Sequence, residues 1–238
     1  EMSASLVGSE MCIRDRARIL RMDADTTARK GGHEEILAAF SAHEADILIG
    51  TQMIVKGHDF GNVTLVGIMA ADLSLNTPDY RCSERTFQLL TQAAGRAGRG
   101  SLSGNVVIQT YQPEHYAIVT AAEQNYEEFY RREMLYRKMM NYPPACYMEA
   151  VLFAGNNEKT VERCSDLALL TVRKMGYEEN EIQMIGPVRA PVYKVNDIYR
   201  KILYIKSKNC DILDKIRRNI ELLAAGDEGF KSLALQFD

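Results

Sequence analysis

The sequence predicts an α/β fold for its first half and an α+β domain for its second half. Up to about residue 113, short apolar runs typical of strands alternate with segments of helical periodicity, which favours a mostly parallel sheet. Pro143 and Pro144 then interrupt the pattern. Beyond them, strands and helices follow in the order βαββαβ, which is the ferredoxin-like order.

The first half contains four predicted strands and two predicted helices. Alternating polarity in ARILRMDAD indicates the first strand, and Phe87, Leu90 and Ala94 mark one side of the second helix. The segment TQMIVKGHDFGN carries the polar and glycine signals of a loop. The predicted strands lie at 17–25, 46–50, 63–71 and 104–111, and the predicted helices lie at 31–45 and 83–95.

The second half begins with a predicted helix over 114–140. This helix carries a stripe formed by Tyr126, Phe129, Tyr130 and Met134, which is more typical of a core or packing surface than of a base-stacking platform. Further strands are predicted at 146–154, 181–189, 199–207 and 230–237, with helices at 157–175 and 209–224. The first of these two helices is expected to bury Val161, Cys164, Ala168 and Val172, and the second Ile212, Ile216, Ile220 and Leu223.

These patterns divide the chain into four predicted parts. Residues 1–16 show neither helical nor strand periodicity and stay unassigned, and foreign sequence from cloning or read assembly is one interpretation of them. The α/β part covers 17–113, and a helical connector covers 114–144. The ferredoxin-like domain covers 145–238.

The composition is that of a soluble globular protein, with 46% hydrophobic and 26% charged residues among 238. No apolar run approaches the ~18 to 20 residues that a membrane helix needs, and we expect a cytoplasmic location. A net charge of −3 argues against a protein that binds polyanions through its whole surface. The five cysteines contain no C-x-x-C pair, which argues against a zinc knuckle and a disulfide framework.

Positive charge is nevertheless concentrated in one stretch. Between Ile185 and Arg218, nine basic residues accompany three acidic ones. A local excess of this size suits the backbone of a nucleic acid. A solvated, lysine-rich face gives the same count, so the charge alone leaves both interpretations open. The basic residues are Arg189, Lys194, Arg200, Lys201, Lys206, Lys208, Lys215, Arg217 and Arg218.

The segment QAAGRAGRG, from Gln92 to Gly100, surrounds two arginines with small residues. Arg96 and Arg99 are three positions apart, so a helical turn would direct both to one side. A guanidinium group forks across two phosphate oxygens, and the small neighbours suggest close backbone approach to an anion. We expect this segment and the TQMIVKGHDFGN loop to emerge at the carboxyl ends of the strands, where ligands gather in such sheets.

Two motifs give these features a family context. GTQMIVKGHDF and QLLTQAAGRAGRG are similar to motifs V and VI in the second RecA-like lobe of superfamily 2 helicases. Together with MMNYPP and GPVRAPVYKVNDIYR, they resemble the PriA family of replication-restart DNA helicases, also called primosomal protein N', over roughly residues 17–238. The resemblance implies a partial RecA-like lobe, over 17–113, followed by a C-terminal ferredoxin-like domain, over 145–238, that binds DNA or partners.

The resemblance also implies roles for individual residues. Arg99 would be the arginine finger on the γ-phosphate of ATP, with Arg96 and Gln92 coupling the nucleotide to the cleft between lobes. Residues implied on the nucleotide side are Asp59, Gly57, Gly95 and Gly98. Residues implied to bind nucleic acid are Gly50, Thr51, Gln52, Lys56 and His58 in the first motif, and Lys194, Tyr199 and Arg200 in a K-x-x-x-x-Y-R pattern.

Two motifs that a helicase needs do not occur in the sequence. It contains neither a G-x-x-x-x-G-K-[ST] phosphate loop nor a D-E-x-H box for Mg²⁺. In the family, these belong to a first lobe that would precede residue 1 and would bind most of the ATP and Mg²⁺. The family's Zn²⁺ module also precedes this region, and the chain has no ligands for it. We therefore expect the chain alone to be unable to hydrolyse ATP.

The resemblance implies a 3'→5' DNA helicase that restarts stalled replication forks and starts primosome assembly. Implied partners are single-stranded and branched DNA, the single-stranded DNA-binding protein and other primosome proteins, with no membrane. The implied location is the bacterial cytoplasm, at the nucleoid. Two alternatives remain, namely another superfamily 2 motor such as a RecG-like or RNA helicase, and a non-catalytic DNA- or partner-binding module.

Overall fold

A computed structural model describes residues 17–23, 25–27, 31–51, 54, 60–98 and 103–238. The chain divides into two compact units, with the break between Phe129 and Tyr130. Each unit has its own buried apolar cluster. Among the described helices, none combines the length and the apolar character needed to cross a bilayer.

The strands of the first unit pair in parallel, as predicted. Strand β1 (Ile19–Met22) pairs with β2 (Ile47–Gly50), and β3 (Leu65–Ile68) pairs with β4 (Asn105–Ile108). In the described part, these pairs form two separate two-stranded sheets. The strands are shorter than the sequence pattern predicts, because the apolar pattern continues beyond the residues that make ladder hydrogen bonds.

The helices of the first unit supply its core. They are α1 (Gly32–Ser41), α2 (Asp72–Leu75), α3 (Cys82–Ala94) and α4 (Tyr116–Ala122), and α2 was not predicted. The ring of Phe87 on α3 stacks on Phe129, with centroids 4.2 Å apart. The predicted core positions Phe87, Leu90 and Ala94 are all buried.

The single helix predicted over 114–140 is wrong. Helix α4 ends at Ala122, and a second helix, α5, spans Tyr126–Met139. Gln124 lies between them with a φ of 52°, in the left-handed region that interrupts a right-handed helix. The side-chain oxygen of Asn125 accepts a hydrogen bond from the Glu128 N–H at 3.0 Å and so helps to start α5. On α5, Phe129 is buried, whereas Tyr126 and Tyr130 are exposed.

The second unit has the ferredoxin-like arrangement. Its sheet is antiparallel with the strand order β6-β7-β5-β8, which is the split order that βαββαβ connectivity gives. The strands are β5 (Tyr147–Gly155), β6 (Ile182–Val195), β7 (Ile198–Ser207) and β8 (Ala234–Phe237), and the helices are α6 (Glu158–Lys174) and α7 (Cys210–Gly226).

Both helices of this domain begin at an asparagine cap and bury the predicted face. The side chain of Asn157 accepts from the Thr160 N–H at 3.2 Å, and that of Asn209 accepts from the Asp211 N–H at 2.9 Å. The apolar residues predicted on these helices all belong to one cluster with Val151, Phe153, Leu203 and Ile205 of the sheet. Cys82, Cys146, Cys164 and Cys210, the four cysteines in the described part, are all free.

Two strand boundaries in this domain differ from the prediction by more than one residue. Residues 230–237 do not form one strand, because Phe230–Ser232 is a 3₁₀ turn that buries Phe230 before β8 begins. Strand β6 runs to Val195 instead of ending near 189, and only Asn196 and Asp197 separate it from β7. Both turn residues have positive φ, at 49° and 61°, as a two-residue hairpin requires.

One carboxylate in this domain is poorly compensated. The Oε1 atom of Glu149 on β5 is shielded from solvent, and in the described part of the chain it accepts no hydrogen bond. Its nearest cation is the Nη1 atom of Arg217, 3.8 Å away. Burial raises the pKa of Glu149, the charge of Arg217 opposes this, and Asp214, Asp238 and Glu221 add to the rise.

Glu149→Gln is therefore expected to raise the melting temperature at pH 7, with a difference that shrinks as the pH falls toward 4. The pKa of Glu149 is higher in the folded than in the unfolded chain, so the destabilisation is present above the folded pKa and vanishes below the unfolded value of about 4.3. Thermal unfolding at several pH values measures this. Glu221→Gln, which removes an exposed partner of Arg217, is the control, and a lower melting temperature for Glu149→Gln at every pH would contradict the account.

Candidate functional site

The first motif begins at the carboxyl end of β2. Gly50 pairs with Met22 of β1, and a Cβ atom on Gly50 would lie 2.1 Å from the Met22 carbonyl oxygen. Strand packing therefore already requires this glycine. Thr51 is exposed, and its carbonyl accepts a hydrogen bond from the Ile54 N–H at 3.1 Å. The other predicted site residues of this motif, Gln52, Lys56, Gly57, His58 and Asp59, lie outside the described residues.

The residues at the end of this motif and just after it contact the C-terminal end of α1. The Phe60 ring meets Phe40 edge to face, with centroids 5.0 Å apart. Two residues further on, Asn62 Nδ2 lies 3.0 Å from His43 Nε2. The backbone that follows the predicted nucleotide-side residues is thus fixed before it enters β3.

The second motif forms the end of α3. Backbone N–H groups of Gly95, Arg96 and Ala97 donate to carbonyls three or four residues earlier, at 3.0 to 3.2 Å, so the helical path continues past Ala94. The buried Ala93 seats this end of the helix against the unit. Gln92 is exposed and Arg96 is half-buried, and their spacing of four residues places both on the same helix face.

Gly98 ends this helical path and joins the turn to the sheet. Its φ is 71°, a conformation that glycine adopts without strain. Its N–H donates to the Val63 carbonyl at 3.0 Å, and a Cβ on Gly98 would lie 2.7 Å from the Gly104 nitrogen. A Cβ on Gly95 would meet only ordinary contacts, the nearest at 3.4 Å. Close backbone packing within the chain therefore accounts for the glycine at 98, but not for the one at 95.

The arginine segment lies at the amino ends of the strands, so the prediction that it emerges at their carboxyl ends is wrong. Val63 precedes β3, and Gly104 precedes β4. The reason is topological: β3 and β4 are parallel, so α3, which connects them, must return the chain to the amino edge. Gly50 and Thr51 do lie at the carboxyl end of their strand.

The relation between the two arginines also changes. Arg99 lies outside the described residues. Because Gly98 leaves the right-handed helical region, the argument that one helical turn directs Arg96 and Arg99 to the same side no longer applies.

Sequence reasoning missed Asp72, whose hydrogen bonds connect the chain after β3 to the chain after β4, at the carboxyl ends of both strands. Its buried carboxylate accepts from Thr110 Oγ1 at 2.7 Å and from the Tyr111 N–H at 2.9 Å. These hydrogen bonds lower the pKa of Asp72, since they favour the charged form. An aspartate directly after the apolar run VGIMAA was the available signal.

In the second unit, the K-x-x-x-x-Y-R pattern straddles the β6–β7 hairpin. Lys194 pairs with Tyr199 across the strands, and the Lys194 Nζ lies 4.8 Å from the centre of the Tyr199 ring. The same Nζ lies 2.9 Å from Asp197 Oδ1, and the hydrogen bond to Asp197 raises the pKa of Lys194. Arg200 follows Tyr199 on the strand and therefore projects from the opposite face of the sheet.

The basic residues between 185 and 218 do not form one patch. Lys206 is buried, donates to the Met140 carbonyl at 3.1 Å and lies 3.6 Å from the centre of the Tyr142 ring. Burial lowers the pKa of Lys206. Lys201 pairs with Glu162 at 3.1 Å, and Arg217 pairs with Glu221 at 3.2 Å. Lys208, Lys215 and Arg218 are exposed, and Arg200 is half-buried.

Comparison with known proteins identifies both halves of the chain. Residues 3–101 match the helicase conserved C-terminal domain, and residues 138–238 match the primosomal protein N C-terminal domain. The replication restart protein PriA of Bacillus subtilis (strain 168) is 44% identical over 209 residues, which cover 86% of this chain and 25% of that protein. The chain belongs to the PriA family.

A second PriA relative, from Synechocystis, is 43% identical over 190 residues, covering 79% of this chain and 22% of its own length. The chain thus spans about a quarter of the length of the curated PriA relatives it matches. These matches favour the PriA family over a RecG-like or RNA helicase. The helicase match includes part of the 1–16 segment, and both the origin of that segment and the predicted domain limits remain predictions.

The packing at Gly50 gives a prediction that separates a structural glycine from one that serves a ligand. Gly50→Ala is expected to destabilise the protein by about 1 to 3 kcal/mol, because its Cβ would overlap a backbone oxygen that cannot move aside. Gly67→Ala on β3 is the matched control, since nothing lies within 4 Å of its Cβ position. Denaturant unfolding measures both, and equal stabilities would refute the proposed packing role.

Proposed function

We propose that this chain is the C-terminal part of an ATP-dependent 3'→5' DNA helicase that restarts stalled replication forks and initiates primosome assembly. The observation that carries the proposal is the fixed turn at the end of α3. It holds Arg96 on a half-buried helix end, and Gly98 bonds this turn to the exit of the preceding helicase motif. One backbone hydrogen bond thereby connects the end of the second helicase motif to the residues that follow the first.

The arginine side chains of this segment suit one half of an ATP site, called here the half-site, whose other half is supplied by a second lobe. Transfer of the γ-phosphoryl group of ATP concentrates negative charge on its oxygens, and guanidinium groups stabilise that charge. In this proposal Arg99 is the arginine finger, while Arg96 and the exposed Gln92 transmit the state of the nucleotide to the interlobe cleft. The small residues around them keep bulky side chains away from an approaching lobe.

The remaining nucleotide contacts are assigned by family resemblance. Gly57 and Asp59 of the first motif would lie on the side of the site that faces the nucleotide. Internal packing does not require a glycine at position 95, and Gly95 would allow close approach of the opposite lobe. The described residues contain no group of three or more His, Cys, Asp or Glu suited to a metal ion. By family resemblance, Mg²⁺ is proposed to bind on the first lobe, together with most of the ATP.

DNA binding is proposed for both units. At the carboxyl end of β2, the exposed Thr51 hydroxyl suits a phosphate contact, followed by Gln52, Lys56 and His58. On the β6–β7 hairpin, Tyr199 and Lys194 form one contact surface, and Arg200 adds a cation on the other face. The single-stranded DNA-binding protein and primosome proteins are the proposed partners, in the bacterial cytoplasm at the nucleoid.

A chimera tests the catalytic part of this proposal. This chain replaces the matching region of the Bacillus subtilis PriA relative, and DNA-stimulated ATP hydrolysis is measured. Arg99→Ala is expected to lower kcat by on the order of 10³ or more, and Arg96→Ala by about a hundredfold. Arg85→Ala is the matched control, since Arg85 lies on the same helix but pairs with Asp79 at 2.8 Å and should leave kcat unchanged.

The isolated chain is the second control and is expected to show no steady ATP hydrolysis. Turnover by the pure isolated chain would refute the half-site. A folded chimera whose activity is indifferent to Arg99→Ala and Arg96→Ala would instead favour a non-catalytic module that holds phosphate statically. In that case, fork binding would also be independent of the nucleotide.

The C-terminal DNA contacts predict a change in salt dependence. Lys194→Gln combined with Arg200→Gln is expected to weaken binding to a branched DNA uniformly across sequences, and to flatten the log–log salt slope by roughly one unit for each lost phosphate contact. Titrations at several salt concentrations measure the slope. Lys231→Gln, at an exposed lysine outside the hairpin, is the control, and unchanged slopes in the double variant would exclude these contacts.

A further inference from the structure

We propose that Gly104 is a positioning residue for the turn that carries Arg96. This inference rests on the proposed function, since it assigns the contact that fixes where the arginine-bearing backbone lies. Gly104 belongs to neither helicase motif and directly precedes β4. It acts only through its neighbour Gly98 and touches no reacting group.

The contact between the two glycines is a backbone-to-backbone contact. A Cβ atom on Gly104 would lie 2.2 Å from the Gly98 nitrogen and 2.5 Å from the Ala97 carbonyl carbon. Neither atom is the end of a flexible side chain, so any side chain at 104 must displace the turn itself. Residue 104 is therefore restricted to glycine by the position of residues 97 and 98.

The displaced group would be the one that holds the turn to the sheet. The Gly98 N–H that Gly104 crowds is the donor to the Val63 carbonyl, at 3.0 Å. One residue after Val63 and one residue after Gly104, the Asn105 N–H donates to the Thr64 carbonyl at 2.8 Å, where the β3–β4 ladder begins. The turn is thus held by one hydrogen bond that lies outside the ladder. A side chain at 104 would break this bond between Gly98 and Val63 and leave the hydrogen bonds of the ladder intact.

Loss of this bond would release the last turn of α3, in which Arg96 N–H donates to Ala93. Displacement of a charge-stabilising group by about 1 Å costs on the order of 10² in rate, whereas nucleotide affinity arises mainly from the phosphate loop on the other lobe. A positioning role therefore predicts a loss in kcat with little change in KM.

Hydrogen exchange in the isolated chain tests the contact without any activity. In Gly104→Ala, the Gly98 amide is expected to lose protection while the Asn105 amide keeps it. Gly67→Ala, whose added Cβ meets nothing within 4 Å, is expected to change neither amide. If both amides of Gly104→Ala lose protection together, or if both keep it, the proposed role for Gly104 is wrong.

The chimera tests the catalytic consequence. Gly104→Ala is expected to lower kcat for ATP by about ten- to a hundredfold, with KM within about twofold of the parent. The control Gly67→Ala is expected to leave both kcat and KM unchanged. If the parent chimera is active and Arg96→Ala impairs it, the proposed function stands. Unchanged kcat in Gly104→Ala would then overturn the positioning role alone, whereas an inactive parent or an indifferent Arg96→Ala overturns the proposed function.

Discussion

The hydrogen bond from the Gly98 N–H to the Val63 carbonyl is the constraint on which the proposed site depends. It ties the end of the arginine motif to the backbone that leaves the preceding motif, at the amino edge of β3 and β4. The contact exists because neither Gly98 nor Gly104 has a side chain. The concentration of small residues around the arginines therefore serves internal packing as well as any ligand.

Anchoring continues on both sides of this bond. Phe60 and Asn62 are held by residues of α1 and its end, and the buried Ala93 seats the last turn of α3. In the proposed function, a helix end held in this way would keep the guanidinium group of Arg96 in place before a nucleotide arrives. Such preorganisation is what electrostatic stabilisation of a phosphoryl-transfer transition state requires, because little reorganisation then accompanies the reaction.

The sequence predicted the elements whose signals are local. Helical spacing correctly placed Val161, Cys164, Ala168 and Val172 in the core, and the order of elements correctly predicted the antiparallel ferredoxin-like sheet. The break near Gln124 was missed because helical periodicity continues on both sides of it, and a left-handed residue other than glycine carries no strong sequence signal. The short α2 was too brief to show periodicity.

The site was harder to predict because it depends on which strand edges and faces meet. Charge counted along the chain combined the buried Lys206 with exposed cations such as Arg218. The sequence predicted parallel pairing, but the arginine turn was still placed at the carboxyl edge, because the return of α3 to the amino edge between the parallel strands β3 and β4 was not taken into account. Asp72 was missed because its partners, Thr110 and Tyr111, follow β4 and lie nearly forty residues away along the chain.

The central claim is that the turn at the end of α3 completes a nucleotide pocket on another lobe. Hydrogen exchange of residues 92–98 in the chimera, bound to single-stranded DNA, tests it most directly when compared with and without a non-hydrolysable ATP analogue. The account predicts stronger protection of these amides with the nucleotide and no change in α7. Equal exchange in both states, with nucleotide binding verified independently, would contradict it.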